Sequence, residues 1–593
     1  MSSRDADNSG LSPTASPSKN LNDSNTTLTP WPADLAAHYR RCGYWRDEPL
    51  TQILQRQAAA QPQRIAIIDG DQSLDYQTLL LRCQQLAAGF SSLGIGMADN
   101  VVVQLPNQRE FIEVLFALMM IGAVPVLALP SHRTAELSHF IRHSRAKTFI
   151  GTVSEQVTDD HAAMTVGGFN TLSELAPLLN CVIAADNTRA YDNDEISGNK
   201  PLLVEQESQL YRLSQLYHQA QAQPVIVNPD AIALMQLSGG TTNVPKLIPR
   251  THNDYYYSIR ESVTLGGLSR DSRYLAVLPA AHNFTLSSPG LLGTLEAGGT
   301  IVMSRISDAR HALQLIAQHQ VSHCALVPPL AIAWQQHAAN HPHYAFDSLK
   351  VLQVGGAKLS AATAEKLKRQ FKCQIQQVFG MAEGLVNYTR IDDNDDIVFS
   401  TQGKPLSPDD EIRIVDDNDE PVANGQPGHL LTRGPYTVRG YYRADAHNAL
   451  AFTRDGFYRT GDIVSLTADG YIVVEGRHKD QINRGGEKIS AAEVEEYLLS
   501  HPDIIDAAVV AMHDEYLGER SCAYLITRNH QRIALIAIRR FLREKSLAEY
   551  KFPDRVEIIQ KFPKTHFGKV SKKALRQKIN TVLQASAIDA QRC

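Results

Sequence analysis

From Trp31 to Leu234, apolar helical runs alternate with short β-branched segments such as RIAIID (Arg64 to Asp69) and NVVVQL (Asn100 to Leu105). The alternation resumes at TIVMS (Thr300 to Ser304), HCALVPP (His323 to Pro329) and LKVLQVGG (Leu349 to Gly356). Continuously apolar strands set between helices predict βαβ units around a buried parallel sheet. Near residue 400 the texture changes, and HLLTRG, GYYR and GYIVVEGR predict the short, glycine-punctuated strands of a small β-rich subdomain. A further boundary falls at GRHKD, Gly476 to Asp480. Beyond it Ser490 and Glu493 form a capping-box pattern that opens the helix AAEVEEYLLS, Pro502 closes it, and DAAVVAM predicts a strand. The expected fold class is α/β: a large N-terminal domain of parallel sheets with helices over 31–476, including the β-rich subdomain over about 400–476, a hinge at 477–480, and a small α+β C-terminal domain over 481–593.

Three stretches stand outside this pattern. The first thirty residues are rich in Ser, Asn, Asp and Thr, lack the apolar core of a secretory signal, and predict a disordered tail. Residues 185 to 223 are polar and glutamine-rich, as a surface insertion would be. FIEVLFALMMIGAVPVLALP (Phe111 to Pro130) is long enough to resemble a membrane span, but Glu113 and Pro125 divide it into a helix ending near Gly122 and a short buried strand.

Composition narrows the classes further. The 593 residues exceed one ordinary domain, and 43% hydrophobic with 20% charged residues is the balance of a globular protein. A net charge of −5 implies no general attraction to nucleic acid or to an anionic membrane. Seven scattered cysteines without a CxxC pair argue against a disulfide framework and a zinc site, and point to a cytoplasmic location.

The stretch SGGTTNVPK, Ser238 to Lys246, combines a glycine-rich turn, hydroxyls and a lysine, the groups that converge on phosphate oxygens. No glycine precedes Lys246 and no Ser or Thr follows it, so this is not the usual NTPase loop. Taken alone it is also readable as a polar surface turn. It does not stand alone. LIPRTHNDYYYS follows it, then AAHNFTLSSPG from Ala280, QVGGAKLS from Gln353, QVFGMAEGLVNYTR from Gln377, RTGD from Arg459, GRHKDQINRGGEKI from Gly476 and KTHFGKV from Lys564. In order and spacing these segments, which span about Trp31 to Lys578, resemble the adenylate-forming superfamily. More narrowly, the chain is similar to the stand-alone aryl-acid adenylating enzymes of catecholate siderophore synthesis, the 2,3-dihydroxybenzoate–AMP ligases.

The resemblance implies roles residue by residue. Ser238, Gly239, Gly240, Thr241, Thr242 and Lys246 would hold the β- and γ-phosphates of ATP, with Lys246 and Glu383 counted as catalytic and Thr242 and Glu383 beside a magnesium ion. Adenine would lie between Gly355, Gly356 and Ala357 on one side and Val378, Phe379, Gly380, Met381 and Ala382 on the other. Asp462 would accept the ribose hydroxyls, and Arg477 would reach the ribose or the α-phosphate. Lys569 would be the lysine of adenylation, carried on a mobile C-terminal domain that pivots at Lys479. Rotation there would exchange Lys569 for the loop Arg484 to Lys488, opening a path for a thiol. Read without the family, Glu383 is a solvated glutamate, Asp462 and Arg477 are surface ion-pair residues, Lys569 is one of several tail lysines, and RGGEK is an exposed turn between strand and helix. Asn243 stands where the family has glycine. Asparagine reaches positive φ with a modest penalty, which predicts a stiffer, working loop; a loop that has lost catalysis is the rival.

His282, Asn283, Phe284 and Ser288 would form the acid pocket together with Val386, and small hydrogen-bonding groups beside an aromatic wall suit a flat hydroxylated ring. In the resembling enzymes serine and valine at these two places accompany 2,3-dihydroxybenzoate, and Phe284 replaces a usual tyrosine. His282 is equally readable as an interior histidine, and Ser287 to Gly290 as a helix start. The implied activity is ATP- and magnesium-dependent formation of 2,3-dihydroxybenzoyl-AMP, followed by transfer to the phosphopantetheine thiol of an aryl carrier protein. Arg539, Arg540, Arg543 and Lys545 are a candidate docking face for that acidic partner or simply a solvated surface. A coenzyme A ligase for another aryl or fatty acid and a non-catalytic adenylate-binding scaffold are the alternatives.

Overall fold

The computed structural model describes residues 28–132, 134–158, 161–166, 170–171, 175, 178–185, 202–203, 209–217, 225–238, 245–477, 481–484, 487–514, 517–545, 547, 549–565 and 569–592. The expected N-terminal tail up to residue 27, most of the glutamine-rich stretch, and residues 478–480 of the expected hinge lie outside them.

Strands predicted from β-branched runs assemble into two large sheets. In the first, Ile65–Asp69, Thr300–Met303, Arg273–Ala276, His323–Leu326, Val351–Gly355 and Gln374–Met381 run parallel as neighbours. Antiparallel strands Gln72–Asp75 at one edge and Gly384–Tyr388 with Lys404–Pro405 at the other complete it. The second sheet has a parallel centre of Ile232–Leu237, Val124–Leu127, Asn100–Gln104, Thr148–Thr158, Cys181–Ala185 and Gln209–Arg212. Because side chains alternate across a strand, Val101 and Val103 join the main core while Val102 joins a second core on the opposite face.

The Phe111 to Pro130 run divides as its sequence predicts, into the helix Arg109–Met120 and the strand Val124–Leu127. Every residue from Glu110 to Met119 is buried, so the helix has no solvent-facing side over that span. Glu113 survives there because Arg82 meets both its oxygens, at 2.7 and 3.1 Å, and the Tyr217 hydroxyl donates to it as well. The Arg82 guanidinium lies 4.3 Å over the Tyr217 ring, so charge and ring are held together. Among the described residues, no helix is long and apolar enough to cross a membrane.

A four-stranded antiparallel sheet follows, made of Glu411–Val415, Gly428–Arg433, Tyr458–Leu466 and Ile472–Arg477. GYYR is not one of its strands. The Tyr441 amide donates to Asn448 Oδ1 (2.8 Å) and the Tyr442 amide to the Leu247 carbonyl (2.9 Å), so neither enters a ladder. Its alternation of large rings reports burial, since both tyrosines are about 5% exposed. Likewise HCALVPP stops being a strand at Leu326, and Pro328 opens the helix Pro328–Asn340, a place where a missing N–H costs nothing.

The last sheet joins Gln481–Arg484, Glu487–Ser490, Ile504–Asp514, Gly518–Thr527 and Arg555–Ile558. RGGEK therefore turns between two antiparallel strands and not between strand and helix; the helix Ala491–Leu499 begins directly after the second strand. Together the four sheets make a mixed α/β architecture in which a large parallel-sheet region is followed by a smaller α+β unit.

Removing the Glu113 carboxylate would leave a guanidinium three-quarters withdrawn from water without its partner, a loss of about 3–5 kcal/mol. Glu113→Ala is expected to lower the unfolding free energy in urea by that amount, and the double variant Arg82→Met/Glu113→Leu to recover most of it. A single variant within about 0.5 kcal/mol of the parent would show that the pair contributes nothing to the fold.

Candidate active site

The carboxyl ends of the parallel strands in an open α/β sheet form a crevice, since the chain leaves the sheet there and turns. Here the crevice is bounded by Val351–Gly355 and its neighbour Gln374–Met381, paired in register at Gly355 and Val378. A Cβ on Gly355 would stand 2.6 Å from the Val378 carbonyl oxygen and 3.0 Å from the Phe284 ring. Glycine is what lets that ring lie against the strand end. Gly356 turns away with φ +81°, and a Cβ there would come 3.7 Å from Cε of Lys569. Lys569, distant in sequence, is thus delivered to the same strand end. Ala357 follows in the turn, which leads to the helix Ala361–Phe371.

Gln374–Met381, which carries Val378, Phe379, Gly380 and Met381, folds back through Ala382 and Glu383 into Gly384–Tyr388, with Gly380 opposite Val386. The turn is held from several sides. Arg250, 1% exposed, donates to the Ala382 carbonyl (2.9 Å), the Tyr436 carbonyl (3.1 Å) and the Asp254 carboxylate (2.7 Å). The Val438 amide donates to the Glu383 carbonyl (2.8 Å). The Glu383 side chain, 7% exposed, accepts a hydrogen bond from the Tyr441 hydroxyl (2.8 Å), which lies 2.9 Å from the Tyr458 hydroxyl. Burial and the Glu383 charge push the Tyr441 phenol far up, so it remains a donor to the carboxylate.

The strands Ile232–Leu237 and Leu247–Thr251 are an antiparallel hairpin, and SGGTTNVPK is its connection. Two bonds close the base: the Ser238 amide donates to the Lys246 carbonyl, and the Lys246 amide to Ser238 Oγ, each at 2.9 Å. Gly239, Gly240, Thr241, Thr242 and Asn243 lie outside the described residues. Arg250 sits on the second strand of this hairpin, so the loop base and the Glu383 turn share one anchor.

On the acid side, His282 caps the short helix Asn283–Ser287, its Nδ1 accepting from the Phe284 amide at 3.2 Å. Nδ1 is therefore unprotonated in the neutral ring, and the proton rides on Nε2. The residue is partly exposed, yet burial, with the positive charge of Lys569 adding to it, lowers its pKa to about 4. Asn283 Oδ1 accepts from the Tyr255 hydroxyl (2.7 Å). Ser288 is 4% exposed and bonds to Tyr388, whose hydroxyl donates to Ser262 Oγ (2.9 Å). Phe284 and Val386 supply apolar walls, 7% and 5% exposed.

Asp462 is 3% exposed and stands opposite Arg477 in the register of Tyr458–Leu466 and Ile472–Arg477. Lys479 lies outside the described residues, and Lys488 is placed only by its strand, opposite Asn483. Arg484 is engaged within its own sheet by Asp554, at 3.0 and 3.1 Å. Sequence reasoning missed Arg250, Tyr255, Tyr441 and Tyr458. The available signal was an arginine in an apolar strand and tyrosines clustered beside motifs, which mark burial without saying what they hold.

The AMP-binding enzyme family matches residues 54–442, and the AMP-binding enzyme C-terminal domain matches residues 493–569. The vibriobactin-specific 2,3-dihydroxybenzoate-AMP ligase of Vibrio cholerae is 49% identical, over 94% of this chain and 98% of that protein. The 2,3-dihydroxybenzoate-AMP ligase of Bacillus subtilis is also 49% identical, over 94% and 98%. The apo structure of Mycobacterium smegmatis MbtA is 41% identical, superposes with a TM-score of 0.67, and covers 93% of this chain and 98% of its own. With a cleft at the ends of its parallel strands and this likeness along nearly its whole length, the chain belongs to the AMP-binding enzyme family of adenylate-forming enzymes.

Proposed function

We propose that the chain activates 2,3-dihydroxybenzoate with ATP and then passes the aryl group to the phosphopantetheine thiol of an aryl carrier protein, in siderophore synthesis in the cytoplasm. The observation that carries this reading is the meeting of Lys569, His282 and Phe284 at Gly355 and Gly356. In the first step a carboxylate oxygen attacks the α-phosphorus, the bond to the bridging oxygen breaks, and pyrophosphate leaves with the electron pair. Two anions must meet, so fixed positive charge and donors at the α-phosphate are what the protein supplies. Lys569 occupies that position between the adenine slot and the acid pocket.

The remaining roles follow the cleft. The clasped loop Ser238 to Lys246, including Gly239, Gly240, Thr241 and Thr242, holds the outer phosphates. Adenine lies between Gly355 to Ala357 and Val378 to Ala382, and Asp462 and Arg477 hold the ribose. Glu383 fits a magnesium ion, because its buried side chain offers carboxylate oxygens, the donor type a hard cation takes, and the one protein donor on it is a neutral hydroxyl. Glu383 and Thr242 would hold that ion, which offsets triphosphate charge when bound. In the second step the thiol sulfur attacks the acyl carbon and AMP leaves; Lys479 is the proposed pivot and the Lys488 hairpin the element that replaces Lys569. The ring of the acid lies against Phe284 and Val386, within reach of Asn283 and Ser288, and neutral His282 presents its Nε2–H to the cleft.

Acid-dependent ATP–pyrophosphate exchange is expected to be led by 2,3-dihydroxybenzoate over salicylate, benzoate and a fatty acid, with the carrier protein preferred over free coenzyme A as acceptor. Exchange led by a fatty acid would overturn the pocket assignment, and ATP binding without turnover would favour a scaffold. Lys569→Ala should reduce exchange by about 10²–10³-fold while thioester formation from preformed aryl-AMP changes far less. Equal losses in both half-reactions would remove Lys569 from its proposed role.

His282 gives a pH prediction. Its folded pKa of about 4 lies below the ordinary histidine value, so it is neutral in the folded protein throughout pH 6–8. The stability linked to it is full above the unfolded value of about 6.5 and is lost as pH falls through about 4. His282→Gln is accordingly expected to leave the shape of the exchange profile between pH 6 and 8 unchanged. A parent inflection near 6.5 that the variant lacks would show that His282 titrates in the working range.

A further inference from the structure

Tyr255 is fully buried, and neither its hydroxyl nor its ring is used by the chemistry above. Its hydroxyl donates to Asn283 Oδ1 at 2.7 Å, while Gln236 Nε2 approaches the same hydroxyl at 3.4 Å. Burial pushes the phenol up to about 12, so the proton stays in place. Ser287 Oγ stands a further 3.3 Å from Asn283 Oδ1. The carbonyl end of the Asn283 amide is thus occupied from the protein side. Its Nδ2 makes no hydrogen bond among the described residues, and the side chain is only partly buried at the cleft.

We propose that Tyr255 is a positioning residue that fixes the amide of Asn283 with its NH₂ toward the acid pocket, so that this corner of the pocket offers donors only. This rests on the reading of the cleft as an aryl-acid site. A donor-only corner is satisfied by a carboxylate oxygen or by an ortho hydroxyl, which rotates to accept. The amide has two N–H groups, so with the carboxylate on one, an ortho amino group, a poor acceptor when conjugated with its ring, would leave the other unpaired, the situation that makes buried polar groups discriminate strongly. The selectivity for ring oxygen over ring nitrogen is therefore set by a residue that need not touch the substrate.

The ring of Tyr255 has a separate task. The Arg250 guanidinium lies 4.6 Å over it and also holds the Ala382 carbonyl beside Glu383. Tyr255→Phe keeps that ring and deletes only the hydroxyl, so the fold and the nucleotide side should survive.

The test is exchange kinetics of parent and Tyr255→Phe with 2,3-dihydroxybenzoate, salicylate and 2-aminobenzoate, alongside KM for ATP. In the parent, kcat/KM should strongly favour the hydroxy acids. In the variant the amide keeps only the longer Ser287 contact and can turn, and the preference for salicylate over 2-aminobenzoate should fall at least about tenfold with KM for ATP within about twofold. A merely structural role would lower all acids alike and leave the ratio in place, which would overturn the proposal. The ratio is read on whichever aryl acid leads in the parent, paired with its ortho-amino analogue. A leader other than 2,3-dihydroxybenzoate would overturn the substrate assignment alone, whereas no exchange with any aryl acid would overturn both.

Discussion

A guanidinium buried to 1% is the constraint on which the site geometry depends. Taking a charge out of water costs several kcal/mol unless each of its nitrogens finds an acceptor and an opposite charge lies beside it. Arg250 meets that demand with Asp254 four residues on, the Ala382 carbonyl, the Tyr436 carbonyl and the face of Tyr255. Those partners belong to the helix after the hairpin, the Glu383 turn and the segment leading into Tyr441. The cost of the charge is offset only when all of them are in place, so the hairpin on either side of Ser238 to Lys246, the Glu383 turn and the helix carrying Tyr255 are assembled together or not at all.

Asp254 shows the other half of this arrangement. Burial pushes its carboxyl up and Arg250 pulls it down, with Thr251 donating from both amide (2.6 Å) and hydroxyl (2.7 Å). Asp254 is also the third residue of a capping box on the helix His252–Leu265. One carboxylate therefore caps the helix and neutralises Arg250, which ties the helix carrying Tyr255 to the strand Leu247–Thr251. Local helix chemistry and the long-range site share the same atoms.

Much of the fold was legible because its strands are continuously apolar and its helices are bounded by ordinary caps. The division of Phe111 to Pro130 followed from Glu113 and Pro125 alone. GYYR failed for a physical reason: a strand pattern and a run of buried rings look alike in sequence, and only the destination of the backbone amides separates them. RGGEK failed because two glycines open a hairpin as readily as they precede a helix. At the site, the glycines at the strand ends, Gly355 and Gly356, were readable because close approach and positive φ demand that residue type. The partners that orient them were not. Arg250, Tyr255 and Tyr441 act across separations of up to 186 residues, and no local pattern encodes which carbonyl or carboxylate a buried donor will find.

The placement of Lys569 bears on how one cleft serves two reactions. Among the described residues, each hydrophobic cluster lies wholly before residue 477 or wholly after residue 481. Between the two parts runs the Lys358–Glu496 ion pair at 3.7 Å, with both side chains partly exposed. A pair of that kind contributes roughly 0–1 kcal/mol, so parting these residues disrupts little packing. Arg484, by contrast, is bonded inside the last sheet by Asp554. On the proposed reading, the unit that carries both Lys569 and the strand pair Gln481–Arg484 and Glu487–Ser490 presents one or the other to the same strand ends. The proposed exchange of Lys569 for the strand that carries Lys488 then needs no refolding, only a change of which of the two stands beside Gly356.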